Sequence, residues 1–263
     1  MSQQNSREPS EIQTTTLGYK IYCYDNVSST NSIAKEVAKK DGEEKIVILA
    51  ETQTSGKGRL GREWISPRGG VWLSIILRPK ITPKEALKLT FITSSAVAKT
   101  INAMFGLKAE VKWPNDVLIN SKKVCGILTE TKTKENNIEF VVVGIGINVN
   151  VDLESFPSSL RNNITSLKYE LGYEIKRKAF LKSLLQNFEH RYKRLQQELW
   201  SVLLQEWKLL ATFLGEQVEV TSFNEVIVGE AWDLDEDGSL IVRLKNGVLR
   251  KVVTGDVTVR KKP

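Results

Sequence analysis

The segment ETQTSGKGRLGREW, residues 51–64, decides which nucleotide-binding folds the chain could adopt. Its glycines have the GxGxxG spacing, but the next run, GVWLSIILRP at residues 70–79, predicts a strand where a dinucleotide-binding fold needs a helix. A P-loop would need Lys and then Ser or Thr after its second glycine, and Leu60 follows Arg59 instead. Because glycines let backbone amides approach an anion and cations add charge-assisted bonds, we expect either an anion-binding loop or a solvated surface turn.

Composition limits the classes of protein that remain. The chain has 263 residues, of which 41% are hydrophobic. It can therefore bury a sizeable core in one large domain or two. Its net charge of +7 favours anionic partners without choosing among nucleotides, acidic proteins and nucleic acid. The two cysteines, Cys23 and Cys125, are far apart, which suits a reducing, cytoplasmic location. No apolar run is long enough to cross a bilayer, so we expect no membrane association.

The single histidine, His190, excludes an HExxH zinc site, which needs two histidines. It leaves a Ser-His-Asp site only one histidine to use. Because His190 falls within an amphipathic helical pattern, FLKSLLQNFEHRYKRLQQEL, a surface or capping role is favoured over catalysis. We expect no protein-held metal.

The hydrophobic pattern predicts an α+β fold in which a mixed sheet with packed helices precedes a small β module. A capped helix is expected at 31–40, a long core helix between Pro83 and Gly106, a strand turn at Asn120-Ser121, and further helix at 176–210. Hairpin signals at Asp237-Gly238 and Asn246-Gly247 mark the module. The predicted divisions are a mobile tail at 1–17, a main domain at 18–214 and a β-barrel at 215–263.

Three further stretches could carry chemistry, although each also has a purely structural interpretation. VKWPND, residues 111–116, is a strand followed by a turn that places a lysine near an aspartate. KKVCGILTE, residues 122–130, begins with lysines that would ordinarily be solvated and contains a glycine that allows close backbone approach. GIGINVN, residues 144–150, has alternating glycines that sheet packing alone would explain.

Taken in order with SSTN at 28–31 and the glycine-rich loop, these stretches resemble the biotin protein ligase family over roughly residues 18–260. The resemblance implies a class II synthetase-like catalytic domain followed by an SH3-like β-barrel. It also implies an enzyme that activates biotin with ATP as biotinyl-5′-AMP and transfers it to one lysine of a biotin carboxyl carrier protein. Use of ATP implies Mg²⁺, held mainly by phosphate oxygens and water.

By this resemblance, the catalytic groups are three side chains of VKWPND and KKVCGILTE together with one arginine of the glycine-rich loop. They are Lys112, Asp116, Lys123 and Arg59. Biotin and the nucleotide would be held by residues from all the stretches. They are Ser29, Thr30, Asn31, Gln53, Gly56, Lys57, Gly58, Arg59, Arg62, Trp64, Lys112, Asn115, Lys123, Gly126 and Asn148. Trp64 is expected near the adenine. At Lys57 the family commonly has arginine, and lysine keeps the charge but loses the planar fork.

Some members of this family carry an N-terminal DNA-binding domain, and the polar start of this chain does not resemble one. We therefore expect an enzyme without sequence-specific DNA binding, which could form a homodimer. Two alternatives stay open. One is a ligase for lipoate or another short acid on the same fold, and the other is a non-enzymatic nucleic-acid binder. Against the second, the segment EVIVGEAWDLDEDG, residues 225–238, holds six acids and no base.

Overall fold

A computed structural model describes residues 8–9, 11–14, 17–222 and 225–259. Its main part is an eight-stranded mixed sheet in the order β1-β2-β3-β4-β8-β7-β6-β5. The strands are β1 (Glu11–Thr14), β2 (Lys20–Val27), β3 (Ile46–Gln53), β4 (Val71–Leu77), β5 (Ala109–Lys112), β6 (Asp116–Ile119), β7 (Lys122–Lys134) and β8 (Asn137–Ile147). Strands β2 and β3 are parallel, and the other neighbours in this sheet are antiparallel. The expected mixed sheet is confirmed.

The first strand corrects the expectation of a mobile tail at residues 1–17. Residues 11–14 pair antiparallel with 20–23 of β2, so for them the expectation was wrong. Such a strand covers the otherwise open edge of β2. The rest of the expected tail falls largely outside the described residues, which leave out 1–7, 10, 15–16, 223–224 and 260–263.

Helices cover both faces of the sheet. They are α1 (Thr30–Lys40), α2 (Leu87–Phe105), α3 (Ser158–Arg161), α4 (Leu167–Leu171), α5 (Arg177–Gln196) and α6 (Trp200–Lys208). Helix α1 packs on β3, β4 and β8, whereas α2 packs on β5 and β7 and is itself covered by α5 and α6. Because residues alternate between the faces of a strand, β4 sends Ile75 towards the α2 side and Ile76 towards the α1 side.

The predicted limits of the long helix are confirmed. A 3₁₀ turn at Pro83–Ala86 leads into α2, with a capping box between Thr82 and Glu85. The helix ends at Gly106, whose φ of 67° is the left-handed conformation that glycine tolerates best. The helical region expected at 176–210 is two helices, separated near Glu198, which has a φ of 61°. His190 lies exposed on α5, as expected.

The C-terminal module is a five-stranded antiparallel sheet in the order β12-β11-β10-β9-β13. Its strands are β9 (Gln217–Ser222), β10 (Glu225–Leu234), β11 (Leu240–Arg243), β12 (Leu249–Val252) and β13 (Asp256–Val259). Its buried side chains belong to the same hydrophobic cluster as those of α2 and α6. Trp113 Nε1 also donates to the carbonyl of Gly238 at 2.9 Å. The module therefore packs firmly on the main body. Across the described ranges, no helix has the length and apolar character needed to span a membrane.

Candidate functional site

One cleft brings the four sequence stretches together with the start of α1. It opens over the central strands β7 and β8 and is covered by the loop at 54–63, with residues 156–164 along its side. Fourteen of the residues named from the sequence line it. They are Ser29, Thr30, Asn31, Gln53, Lys57, Gly58, Arg59, Arg62, Trp64, Asn115, Asp116, Lys123, Gly126 and Asn148. Positions separated by more than a hundred residues thus converge on one site.

Two of the named residues do not line the cleft. A Cβ added at Gly56 would lie 2.3 Å from the carbonyl oxygen of Trp64, so this glycine shapes the base of the loop. Lys112 is outside the cleft lining, with its Nζ 4.0 Å from Asp116 Oδ2. Lys112 can therefore influence the cleft through the charge of Asp116.

The floor of the cleft is formed by two paired glycines and an indole ring. Gly126 of β7 and Gly146 of β8 are direct partners in the sheet. A Cβ would lie 2.8 Å from Trp64 Cζ3 at the first position and 2.3 Å from Trp64 Nε1 at the second. Trp64 also meets Trp72 edge to face, with ring centroids 6.4 Å apart. The glycines therefore admit an aromatic ring close to the sheet, which goes beyond simple sheet packing.

A row of neutral hydrogen-bonding groups follows the start of α1. Gln53 Oε1 accepts from the backbone N–H of Thr30 at 2.8 Å and from its hydroxyl at 3.2 Å. Gln53 Nε2 donates to Ser66 Oγ at 2.7 Å. Ser74 Oγ lies 2.8 Å from Thr30 Oγ1, and the row is thereby fixed to the middle of the sheet. This end of the cleft offers orientated hydroxyl and amide groups without a net charge.

Asn31 supports this row from behind. Its Oδ1 lies 2.5 Å from Ser74 Oγ, and its Nδ2 donates to Glu130 Oε2 at 2.8 Å and to the carbonyl of Leu128 at 3.3 Å. Lys35 Nζ neutralises Glu130 at 2.5 Å. Sequence reasoning missed Ser74 and Glu130. The signal for Ser74 was available, since it is the one hydroxyl in the fully buried strand VWLSIIL.

The opposite end of the cleft is charged. The Asp116 carboxylate lies 2.7 Å from Lys123 Nζ, an ion pair without the angles of a hydrogen bond. Lys123 Nζ also stands 5.1 Å from the centroid of the Trp64 ring, a cation–π distance. With Lys112 on its far side, Asp116 lies between two ammonium groups. The three side chains together carry one net positive charge, which suits an anionic reactant.

The glycine-rich loop brings two arginines to the same end. Arg59 Nη1 donates to Asn115 Oδ1 at 3.2 Å, and Arg62 forms an ion pair with Asp256 of β13. Burial lowers the pKa of the Arg59 guanidinium, while nearby Asp256 and Asp116 raise it, and arginine stays protonated at neutral pH. Lys57 extends into the solvent-exposed part of the loop, where its Nζ lies 3.3 Å from Ser32 Oγ.

Two buried polar atoms at the cleft have neither a hydrogen-bond partner nor an ion pair in the part of the chain that the structure describes. Asn148 is 2% exposed, and its Nδ2 donates to the carbonyl of Thr165 at 3.0 Å while its Oδ1 accepts no hydrogen bond. The indole N–H of Trp64 is the second such group. Because buried polar groups are nearly always paired, the Oδ1 of Asn148 is available to a donor group of a ligand or a water molecule.

Comparison with known families agrees with this geometry. Residues 24–148 match the model of the Biotin/lipoate A/B protein ligase family, and residues 213–260 match that of the Biotin protein ligase C terminal domain. The first range contains most of the cleft residues, and the second contains Asp256.

Individual relatives are similar along most of the chain. The bifunctional ligase/repressor BirA of Bacillus subtilis is 34% identical over 94% of this chain and 76% of its own length. The biotin–[acetyl-CoA-carboxylase] ligase of Paracoccus denitrificans is 30% identical over 74% of this chain and 83% of its own. Among solved structures, the biotin protein ligase of Aquifex aeolicus in complex with biotin and ATP superposes with a TM-score of 0.78, at 26% identity over 92% of this chain and 99% of that one.

Proposed function

The chain belongs to the biotin/lipoate A/B protein ligase family, and on that premise we propose that this ligase activates biotin with ATP and transfers it to a carrier protein. The intermediate is biotinyl-5′-AMP, and the acceptor is one lysine of a biotin carboxyl carrier domain. One observation carries the proposal. A single cleft has a neutral hydrogen-bonding row at one end and Lys123, Asp116 and two arginines at the other, with Lys112 next to Asp116.

The neutral end suits the ureido ring of biotin, which is an uncharged donor and acceptor. Ser29, Thr30 and Gln53 are the groups available to it, with Asn31 holding them in place. The floor around Trp64 would take the apolar rings and chain of the ligand. The unpaired Oδ1 of Asn148 would accept from an amino group of the nucleotide. This last contact would remove the desolvation cost that an unpaired buried oxygen carries.

In the first step, a carboxylate oxygen of biotin attacks the α-phosphorus of ATP. The bond from that phosphorus to the pyrophosphate oxygen breaks, and pyrophosphate leaves with its electron pair. Charge builds on the phosphate oxygens in the transition state, where Lys123 and Arg59 would stabilise it. The protein needs no covalent intermediate of its own for this step, because holding both reactants in line supplies much of the rate.

In the second step, the neutral amine of the carrier lysine attacks the carbonyl carbon of the adenylate. An amide bond forms, the bond from that carbon to the phosphate oxygen breaks, and AMP leaves. Asp116 lines the charged end of the cleft, where it would orient the incoming amine and accept its proton. It would do so by exchanging its contact with Lys123 for one with the amine.

Magnesium would enter together with ATP. Within the described part of the chain, no group of three or more His, Cys, Asp or Glu side chains is placed to hold a metal ion. Mg²⁺ commonly binds substrate phosphates and keeps several waters, so it needs few protein ligands in such a site.

The test of the first step is exchange of labelled pyrophosphate into ATP, measured with biotin and, separately, with lipoate. We expect exchange with biotin in the absence of any carrier. Exchange with lipoate and not with biotin would refute the assignment of biotin. The variant Lys123→Gln should lose at least about tenfold, or about 1.4 kcal/mol on the barrier.

The neighbouring Lys122→Gln is the matched control, because Lys122 Nζ lies outside the cleft and 5.7 Å from the Tyr169 ring centroid. Equal activity of the two variants would remove Lys123 from the proposed machinery. The second step is tested by mass spectrometry of a carboxyl carrier domain, which should gain one biotin less one water on a single lysine.

A further inference from the structure

The glycine-rich loop is tied to the C-terminal module by a second set of contacts, at the turn that leads into β13. Arg59 Nη2 donates to Thr254 Oγ1 at 3.0 Å, and its Nη1 donates to the carbonyl of Gly255 at 3.3 Å and lies 3.9 Å from Asp256 Oδ1. Arg62 Nη2 bonds the other oxygen of Asp256. One carboxylate of the module therefore faces both arginines of the loop.

Backbone hydrogen bonds connect the two sides of the loop, so contacts that restrain its arginines also restrain the rest of the segment. The backbone N–H of Gly58 donates to the carbonyl of Arg62 at 2.7 Å, and that of Trp64 donates to Gly56 at 2.9 Å. These bonds make a compact hairpin with Leu60 exposed at its tip. Trp64 lies at its base and on the cleft floor. Contacts that restrain Arg62 therefore restrain both the loop over the cleft and Trp64 on the cleft floor.

An anionic ligand in the cleft would compete with Asp256 for Arg62. Both Asp256 and Arg62 line the cleft, at the rim beside Arg59 and Asp116. The Arg62 side chain is 63% exposed, so phosphate oxygens could reach it without the module moving. A phosphate carries more negative charge than a carboxylate and presents more acceptor oxygens, and arginine binds it through the same planar fork.

We propose that Asp256 is a positioning residue that holds the loop over the cleft, and that the phosphates of the nucleotide replace its carboxylate as the partner of Arg62. The hold itself is independent of the reaction assigned to the cleft, whereas the replacement rests on the proposed function. In this arrangement the loop is already near its working position when substrates arrive. Ordering fewer residues on binding lowers the entropic cost of closure.

Limited digestion by trypsin tests the hold, because trypsin must draw an arginine side chain out of its contacts before it cuts. The variant Asp256→Asn keeps the size of the side chain and removes its charge. We expect cleavage after Arg59 to become about three- to tenfold faster, a modest change because partly exposed ion pairs are individually weak. The rate is read from the two fragments by mass spectrometry, without added ligand.

The matched control is Asp233→Asn. Asp233 lies in the same module and also pairs with the main body, through Lys208 at 2.6 Å, but it does not line the cleft. We expect its cleavage rate after Arg59 to equal that of the unmodified chain. Unchanged cleavage in Asp256→Asn, or equal acceleration in both variants, would overturn the proposal. Thermal unfolding of both variants shows whether either loses its fold.

Adding biotin and ATP separates the two parts of the proposal. If phosphates replace Asp256 as the partner of Arg62, trypsin should cut the Asp256→Asn variant with bound ligand as slowly as the unmodified chain with bound ligand. A loop that the substitution had merely deformed would stay sensitive to trypsin when ligand is added. If the variant is cut faster without ligand and stays as sensitive with ligand, Asp256 does hold the loop, but phosphates do not replace its carboxylate at Arg62. Pyrophosphate exchange on the unmodified chain then shows whether the proposed function fails as well.

Discussion

Replacing Gly144 by alanine should damage the neutral end of the cleft by displacing the side chain of Asn31. Gly144 lies on β8 directly beneath Asn31. An added Cβ would fall 2.2 Å from Asn31 Oδ1, 2.8 Å from its Cγ and 2.9 Å from its Nδ2. Relief requires the amide to move by roughly an ångström, since ordinary contacts begin near 3.4 Å. Asn31 is 4% exposed, and its hydrogen bonds to Ser74 and Glu130 oppose such a movement.

The magnitude follows from the bonds that such a movement disturbs. Overpacking a tight interior costs about 1–3 kcal/mol, and each hydrogen bond lost costs about 1 kcal/mol more. The bonds of Asn31 to Ser74 and Glu130 are the ones at risk. We expect a loss of about 2–4 kcal/mol in the free energy of unfolding, or a fall of roughly 4–12 °C in melting temperature. Because Ser74 also fixes Thr30, we expect biotin to bind about tenfold more weakly, which is a loss of about 1.4 kcal/mol in binding free energy.

Urea unfolding and calorimetric titration with biotin would measure the two effects. Gly42→Ala is the control, since a Cβ there meets no atom within 4 Å. It should leave both quantities within about 1 kcal/mol of the unmodified chain. Wild-type stability and biotin affinity in Gly144→Ala would show that Asn31 does not hold the row, and the roles given to Ser74 and Glu130 would fall with it.

Three further predictions concern single side chains. Asp116→Asn should lower carrier biotinylation by at least about tenfold with an unchanged melting temperature; wild-type activity would make Asp116 a turn residue only. Hydrogen bonds from Lys88 and from the backbone of Thr82 lower the pKa of Glu85 from 4.5 to about 2. The ionised Glu85 carboxylate therefore stabilises the folded chain fully above pH 4.5, and this contribution to the free energy of unfolding is lost as the pH falls towards 2. Because solvent screens this partly exposed group, Glu85→Gln should cost only about 1 kcal/mol at pH 7 and less at pH 3 by urea unfolding, and a pH-independent difference would refute this. Burial raises the pKa of the Cys125 thiol, so iodoacetamide at pH 8 should leave Cys125 unmodified until the chain is unfolded; labelling of the folded chain would contradict it.

Local signals explain why much of the fold could be predicted from the sequence. Proline and glycine marked the two ends of α2. The turn at Asn120-Ser121 has the positive φ values, 51° and 63°, that such a hairpin needs. These features depend on neighbours in the chain. By contrast, the pairing of residues 11–14 with β2 gives no local signal, since a short polar strand has no hydrophobic alternation.

The candidate site divides in the same way. The loop and the KWPND stretch could be found because their chemistry is concentrated in a few consecutive residues. The groups that support them were not predictable by the same route. Glu130 stabilises Asn31 across 99 positions of sequence, and Asp256 meets Arg62 across 194. An aspartate in a β module has no feature that distinguishes it in the sequence until the fold places it against an arginine.

The span of that last contact has a consequence for how the enzyme is made. A ribosome adds residues from the N-terminus, and domains fold as they emerge. The glycine-rich loop, α1, the floor glycines and the helices α5 and α6 that cover α2 are all synthesised by residue 208, so the cleft can assemble before the module is complete. The turn at 254–256 emerges about fifty residues later, at a rate of roughly 5–20 residues per second. During that interval of several seconds, the glycine-rich loop of the nascent chain lies over the cleft without its contacts to Thr254, Gly255 and Asp256.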